Sequence, residues 1–243
     1  MANTLRQDTY RPATIQSYIA MAFLSAIAVC GLLYFLLSIG MILFTDATID
    51  LGEDGGAISA PLVAASLIAL LEAPLRLGAI ISFLVWLHRA YSNLSSLKAH
   101  NLEFSPGWAV GWWFIPFANI VKPFQIVREV YNESDPEVDP YSGFSPAAAG
   151  TPLILGVWWG TFLLSGVATR ISDAVYGKED LPSSDFFPFV FMVAGVLTAI
   201  AGASAVYLIW TITKRQDARA LKIGESAASS FTPPPPPSFG NYQ

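Results

Sequence analysis

The chain has 243 residues, of which 53% are hydrophobic and 13% are charged, and its mean hydropathy is +0.50. Soluble domains carry about 25% charged residues, so this composition excludes an ordinary soluble domain and indicates an integral membrane protein. The net charge of −5 and the lack of a basic face exclude nucleic acid as a partner. The single cysteine, Cys30, and two histidines supply neither an internal disulfide nor a zinc cluster, so no metal and no cofactor is predicted.

Four long apolar segments predict transmembrane helices, since roughly 20 apolar residues cross a bilayer. They lie at about 18–44, 62–87, 152–169 and 187–213. The first segment is too long for the apolar part of a signal peptide and is expected to be retained. The sequence therefore predicts an all-α integral membrane protein. Its membrane domain covers 18–222 and follows a cytoplasmic N-terminus at 1–17.

Two opposite charges lie within the second segment. Glu72 precedes Arg76 by four residues, which is the favourable order for an ion pair on one helix. A lone charge in mid-bilayer costs at least ~2.5–3.5 kcal/mol, so the two are expected to pair and to face protein. Pro74 predicts a kink that frees the carbonyl of Leu70. Glu72, Pro74 and Arg76 form a candidate polar site: either a pair that fixes helix packing, or the wall of a cavity facing the hairpin described below.

Trp86, Arg89 and Asn93 follow at helical spacing, at the end of the second segment. They predict a cytoplasmic anchor, with Arg89 near lipid phosphates. The alternative is a contact between Arg89 and Glu129.

Residues 105–133 predict a re-entrant or interfacial helical hairpin rather than a further span. Ser105 and Pro106 favour a helix start, and later prolines interrupt the segment. Irregular backbone at membrane depth is tolerated only where it is buried in protein or lines a wet cavity. The motif comprises Ser105, Pro106, Trp112, Trp113, Pro116, Asn119, Pro123, Arg128 and Glu129.

The two arms of this hairpin differ in character. The first is rich in tryptophan, which favours the membrane interface, and is expected to end at Ile115. Asn119 at the tip is expected to satisfy freed backbone groups. The second arm begins near Lys122 and is amphipathic, so it is expected to lie along the cytoplasmic interface. Its polar stripe either faces solvent on a helix that only anchors and packs, or lines a substrate path.

The distribution of Lys and Arg supports four spans. If the hairpin enters and leaves on one side, ten of these residues lie in the cytoplasm and two outside; full crossing of 107–121 gives six and six. Because positive residues concentrate on the cytoplasmic side, both termini are predicted to be cytoplasmic. The acidic, glycine-rich residues 45–61 are predicted to form a flexible external loop.

Small residues predict close helix contacts. Gly-x-x-x-Gly spacing occurs at 107 and 111 and again at 156 and 160. The fourth segment carries Gly195, Ala199, Gly202 and Ala203.

The C-terminal region is predicted to leave the membrane. Residues 214–222, KRQDARALK, form a basic stop that is expected to contact anionic lipid. Residues 223–243 are predicted to be a disordered cytoplasmic tail whose prolines at 233–237 favour polyproline II. The tail is either a spacer or a binding site for a protein partner.

The stretch 86–136 resembles a bacterial membrane family called domain of unknown function 4328. The resemblance rests on the residues of the anchor and of the hairpin motif, followed by Asp135 and Pro136, and it extends less specifically over 60–213. It implies several spans and a place in the bacterial cytoplasmic membrane. It implies no chemistry, because no activity is established for that family.

Three functions remain open at this point. The sequence favours a non-enzymatic membrane protein such as a scaffold, a regulator or a subunit of an envelope complex. The alternative is a small oligomeric transporter or channel that uses the Glu72/Arg76 site and the hairpin. An intramembrane lipid-acting enzyme has less support, because the chain lacks the usual nucleophile, metal and phosphate motifs. Expected partners are membrane lipids, a protein bound through the tail, and further copies of the chain.

Overall fold

The computed structural model describes residues 10–43, 48–50, 57–138, 150–175 and 186–229. Within these ranges the chain forms six α-helices, two short strands and two 3₁₀ turns. In chain order they are α1 (Thr14–Leu43), β1 (Thr48–Asp50), β2 (Ala57–Ser59), α2 (Ala60–Ser96), α3 (Pro106–Gly111), the 3₁₀ turns Trp112–Phe114 and Ala118–Ile120, α4 (Lys122–Glu133), α5 (Leu153–Val175) and α6 (Phe186–Ser229).

Four helices, α1, α2, α5 and α6, are long and apolar enough to cross a membrane. They coincide with the four predicted segments but run further. The largest difference is in α6, whose 44 residues extend about 66 Å at 1.5 Å per residue, twice the hydrocarbon thickness. Residues 223–229 continue this helix, so the tail predicted to be disordered does not begin at 223. The rest of that tail, 230–243 with its proline run, lies outside the described residues.

A short antiparallel strand pair lies in the segment predicted to be a flexible loop. Thr48 pairs with Ser59, Ile49 with Ile58 and Asp50 with Ala57. β-branched residues favour extended backbone, and this local signal was overlooked among the acidic residues and glycines. Residues 51–56, between the strands, lie outside the described ranges.

The four long helices form an arc in the order α2, α1, α6, α5. α1 packs against both α2 and α6, and α6 also packs against α5. Contact between α1 and α6 is close, because a Cβ added at Gly31 would lie 2.7 Å from the Gly195 carbonyl oxygen, and one at Gly202 would lie 2.9 Å from Ala28 Cβ. The small-residue surface predicted on the fourth segment is thus the contact with α1, although Ala203 is exposed.

The other predicted close contacts are wrong. A Cβ added at Gly107, Gly156 or Gly160 meets nothing within 4 Å, and one at Gly111 meets only the ring of Trp108. These glycines do not face a neighbouring helix. On α3, the residue that packs in the core is Ala109 and not either glycine.

The hairpin lies at one end of the arc, which we call the hairpin end. α3 packs on α2, and α4 contacts α2, α5 and α6. The hydrophobic core cluster is here and includes Phe83, Trp86, Tyr91, Ile126, Val130, Trp158, Ile209 and Ile212. The start of α1 lies at the same end, since the Tyr10 hydroxyl donates to Asp217 Oδ1 at 2.6 Å.

Local sequence signals set the hairpin boundaries. Pro106 begins α3, and Ser105 occupies the capping position with extended backbone, but its hydroxyl makes no capping bond. Ile115 is extended, as a residue before proline should be, and it ends the first arm. Phe117 has a φ of 64°, a left-handed conformation uncommon outside glycine. The second arm, α4, begins at Lys122 as predicted.

Candidate functional site

A cavity of about 480 Å³ opens toward the end of the arc opposite the hairpin. Its lining comes from α1, α2, α5 and α6. The polar residues on its wall are Tyr34, Ser66, Glu72, Arg76, Thr169, Ser172, Asp173 and Thr198, and two phenylalanines, Phe187 and Phe191, contribute an aromatic surface.

Glu72 and Arg76 form the predicted ion pair on this wall. Glu72 is buried, with 6% of its surface exposed. Its Oε1 accepts a hydrogen bond from Arg76 Nε at 2.9 Å and lies 2.7 Å from Arg76 Nη2. Its Oε2 accepts a hydrogen bond from the Tyr34 hydroxyl at 2.8 Å. These donors on Tyr34 and Arg76 hold the carboxylate at a fixed position.

Arg76 differs from its partner in exposure. Its side chain is 48% exposed, and Glu72 engages only Nε and Nη2, which leaves Nη1 for another acceptor. α2 is continuous through Pro74. The Arg76 guanidinium donates to Glu72. It does not donate to the Leu70 carbonyl, which lacks its usual helical donor because residue 74 is proline.

An aromatic cluster separates this cavity from the hairpin tip. Trp113 packs edge-on against Phe83 of α2, with ring centroids 5.2 Å apart, and against Trp159 of α5 at 5.9 Å. Trp159 stacks on Phe162 at 5.3 Å, and its Nε1 donates to the Ile120 carbonyl at 2.9 Å. The described cavity lining contains no hairpin residue. The expectation that the cavity faces the hairpin tip is therefore wrong, because large rings fill the space between them.

Several residues of the hairpin motif lie away from the cavity. The Asn119 side chain is exposed, and it is its backbone N–H that donates to the Ile115 carbonyl at 3.0 Å. Trp112 and Phe104 rings lie below the Lys122 ammonium at 5.8 and 5.1 Å. Pro116 is exposed at the tip, Pro123 is buried in the first turn of α4, and Arg128 is half-buried on that helix.

Glu129 is held by Tyr91, not by Arg89. The Tyr91 hydroxyl donates to its Oε2 at 2.7 Å, and the Glu103 backbone N–H donates to its Oε1 at 2.6 Å. The Phe104 N–H in turn donates to the Tyr91 hydroxyl at 2.9 Å. Burial raises the pKa of Glu129 above its ordinary value, and these hydrogen bonds offset only part of the effect. The half-buried Arg89 lies elsewhere on α2.

Trp86 and Asn93, predicted to anchor α2 at the membrane surface, are buried in the protein. Trp86 Nε1 donates to Thr213 Oγ1 of α6 at 3.2 Å. Asn93 Nδ2 donates to the Arg11 carbonyl at 3.0 Å and lies 3.3 Å from Gln216 Oε1. Both residues join α2 to α6, and Asn93 also joins it to the segment before α1.

The basic stretch 214–222 makes protein contacts that sequence reasoning missed. Arg219 is buried and donates to three carbonyls: Leu97 at 2.9 Å, Glu133 at 3.0 Å and Asp135 at 3.0 Å. Gln216 is also buried and donates to the Ala90 carbonyl at 2.8 Å. A lipid contact for Arg219 is excluded by this burial. The available signal was spacing, because both residues continue the buried face of α6 that carries Ile209 and Ile212.

Four apolar helices of spanning length around a charged cavity define a multi-pass membrane protein with a candidate ligand site. The chain belongs to the family described as Domain of unknown function (DUF4328), whose sequence model matches residues 53–214. The match covers α2 to α5, the hairpin and the first part of α6, in agreement with the resemblance noted over 60–213. α1, which contributes Tyr34, lies outside it. No curated protein and no solved structure matches the chain.

Proposed function

We propose that this chain is a non-enzymatic carrier of the bacterial cytoplasmic membrane that receives a ligand in the cavity beside Glu72 and Arg76. The observation that carries the proposal is the cavity itself. A hydrogen-bonded carboxylate and a half-exposed guanidinium lie well inside a helix long enough to span a bilayer, and several hydroxyls line the same cavity. Ionisable groups at such positions are costly and are typical of substrate paths.

The proposed topology has four spans, with both termini and the hairpin on the cytoplasmic side. It is supported by the excess of Lys and Arg in these segments and by the contact of Tyr10 with Asp217 at the hairpin end. The cavity then opens toward the outside.

The hairpin is proposed to be re-entrant. Trp159 binds the hairpin tip six residues after the start of α5, about 9 Å along that helix. Two apolar side chains at the tip, Phe117 and Ile120, are exposed at 87% and 50%. Exposed aromatic rings about 9 Å along α5 are more stable in hydrocarbon than in water. In the carrier, the Trp113 and Trp159 rings close the path below the cavity, so release to the cytoplasm requires the hairpin to move.

Access from both sides is the decisive measurement. In a Cys30→Ala background, Ala73→Cys places a thiol on the cavity wall, and Leu70→Cys places one nearby on the outer face of α2. A charged, membrane-impermeant thiol reagent is applied to intact cells and to inverted vesicles. We expect Ala73→Cys to react from both sides, faster from outside, and Leu70→Cys to react from neither. Reaction from outside alone would contradict a carrier, and no reaction would contradict a wet cavity.

Two further cysteine variants in the Cys30→Ala background test the proposed topology. Asp173→Cys lies at the cavity mouth and Glu137→Cys at the hairpin end, and both positions are exposed. We expect Asp173→Cys to react in intact cells and Glu137→Cys only in inverted vesicles. The opposite pattern would reverse the orientation.

A scaffold is the second candidate function. It is favoured by the length of α6, which continues to Ser229 and whose last turns are joined to the hairpin through Arg219. Residues 230–243, with their run of prolines, follow this helix in the sequence. If deletion of 230–243 removes a specific co-purifying protein while Ala73→Cys reactivity is unchanged, the scaffold is favoured.

A further inference from the structure

The open side of the cavity is bordered by apolar side chains. On α2, the cavity-lining Ser66 and Ala73 lie at the edge of the lining face, and Leu70 and Leu77 follow next around the helix. Both leucines are strongly exposed, at 73% and 60%. In a bilayer this border faces acyl chains.

The α5 side of the opening has the same character. Phe162 lies seven positions before Thr169 and eleven before Asp173, so it shares their helix face. Its ring is 44% exposed and adjoins the aromatic cluster that ends the cavity. A ligand that fills the cavity and also covers these borders must have a polar head and apolar chains.

Arg76 indicates the chemistry of that head. A half-exposed guanidinium in the hydrocarbon zone leaves donors that need an acceptor. Phosphate suits a guanidinium well, because its oxygens accept two parallel N–H bonds. Nη1 of Arg76, which Glu72 does not use, is available to such a group.

The charges on the cavity wall further restrict which headgroup can bind. Glu72, Arg76 and Asp173 are the charged side chains among the described lining residues, with one excess negative charge. A purely anionic head would meet two carboxylates for one guanidinium. A head with a phosphate and an ammonium matches both signs, and the rings of Phe187 and Phe191 line the same cavity.

We propose that the cavity binds the headgroup of a zwitterionic phospholipid with a primary ammonium, such as phosphatidylethanolamine. The phosphate binds Arg76, the ammonium lies toward Asp173, and the acyl chains leave between α2 and α5 along Leu70, Leu77 and Phe162. This inference rests on the proposed ligand site and names its substrate as a lipid rather than a water-soluble solute.

Lipid retention by the full chain tests the proposal. The protein in detergent micelles is given equal amounts of phosphatidylethanolamine and phosphatidylglycerol, and bound lipid is counted by native mass spectrometry. We expect at least about fivefold preference for phosphatidylethanolamine, and Asp173→Asn to reduce it below about twofold. Asp173 is exposed, so this variant should fold. Arg76→Lys keeps the charge beside Glu72 but loses the planar fork, and should lower retention of both lipids. Arg128→Gln, outside the cavity, should change nothing.

Three results would overturn the lipid assignment. Equal retention of both lipids, unchanged by Asp173→Asn, would remove the role of the ammonium. Thermal stabilisation by free phosphoethanolamine as strong as by the phospholipid would identify a water-soluble ligand. If no lipid is retained but Ala73→Cys reacts from both sides, the lipid inference fails while the carrier stands. If Ala73→Cys is also unreactive, both fail.

Discussion

Arg219 joins three separate parts of the chain through one guanidinium. Its donors reach the end of α2 at Leu97, the end of α4 at Glu133, and the segment after α4 at Asp135. The side chain is almost fully buried, so water cannot replace these bonds. Lysine has the same charge but not the planar set of five donors.

We expect Arg219→Lys to lower the stability of the protein. Carbonyls left without a donor cost about 1–3 kcal/mol each, so a loss of at least ~2 kcal/mol is expected, or about 4–8 °C in apparent Tm. Thermal unfolding in detergent measures it. Arg128→Lys on α4 is the matched control and should shift the apparent Tm little. Equal effects of the two changes would contradict the role given to Arg219.

Glu129 gives the hairpin end a dependence on pH. Burial raises its pKa in the folded protein above the value of 4.5 for the free group. The folded state therefore binds the Glu129 proton more tightly than the unfolded state does. Protonation of Glu129 stabilises the fold fully below about pH 4.5, and this stabilisation is lost as pH rises through the folded pKa. Glu129→Gln should show a smaller loss of apparent Tm between pH 4.5 and pH 7 than the unchanged protein. An identical pH profile would show that Glu129 does not titrate in this range.

At the residue scale, same-helix partners were predictable and cross-chain partners were not. Glu72 and Arg76 are four residues apart, so helix geometry alone pairs them. Tyr34 is 38 residues from Glu72, and Gln216 is 126 residues from Ala90. No local pattern relates such positions, which is why the sequence suggested Arg89 as an alternative partner of Glu129 and did not suggest Tyr91.

At the element scale, proline and glycine had very different predictive value. Prolines fix backbone conformation locally, and the arm end at Ile115 and the start of α4 at Lys122 were both predicted from them. Glycines permit close contact only where another helix happens to lie. The pattern at 156 and 160 therefore looked like that at 195 and 202, although only the latter touches a neighbour.

This difference can be measured by matched substitutions. Gly195→Ala puts a Cβ 2.7 Å from the Gly31 carbonyl oxygen, and this overpacking should cost roughly 1–3 kcal/mol. Gly156→Ala meets nothing within 4 Å and should be neutral or raise stability by up to ~1 kcal/mol through helix propensity. Apparent Tm in detergent distinguishes them. A Gly195 variant as stable as the Gly156 variant would show that α1 and α6 separate readily.

At the scale of the whole molecule, the hairpin end depends on the continuation of α6 beyond its apolar part. Truncation after residue 213 removes Gln216 and Arg219 and should leave the hairpin loosely held, although the predicted spans remain. Truncation after residue 229 retains both. Amide hydrogen exchange over 105–133 should rise at least about tenfold in the shorter chain and stay unchanged in the longer one, since a tenfold change corresponds to about 1.4 kcal/mol. Equal protection in both would mean that α2 and α5 alone hold the hairpin.

The sequence by itself determined the helical membrane class, the four helices long and apolar enough to span a membrane, the hairpin with its break before Pro116, and the family. Each follows from a signal carried within one continuous stretch of the sequence, such as hydropathy, proline geometry or a local motif. Only the tertiary structure decided that Tyr34 completes the Glu72 site, that aromatic rings separate the cavity from the hairpin tip, and that Arg219 is buried. These depend on how helices distant in sequence are placed side by side, and apolar composition is nearly the same on every face of such helices.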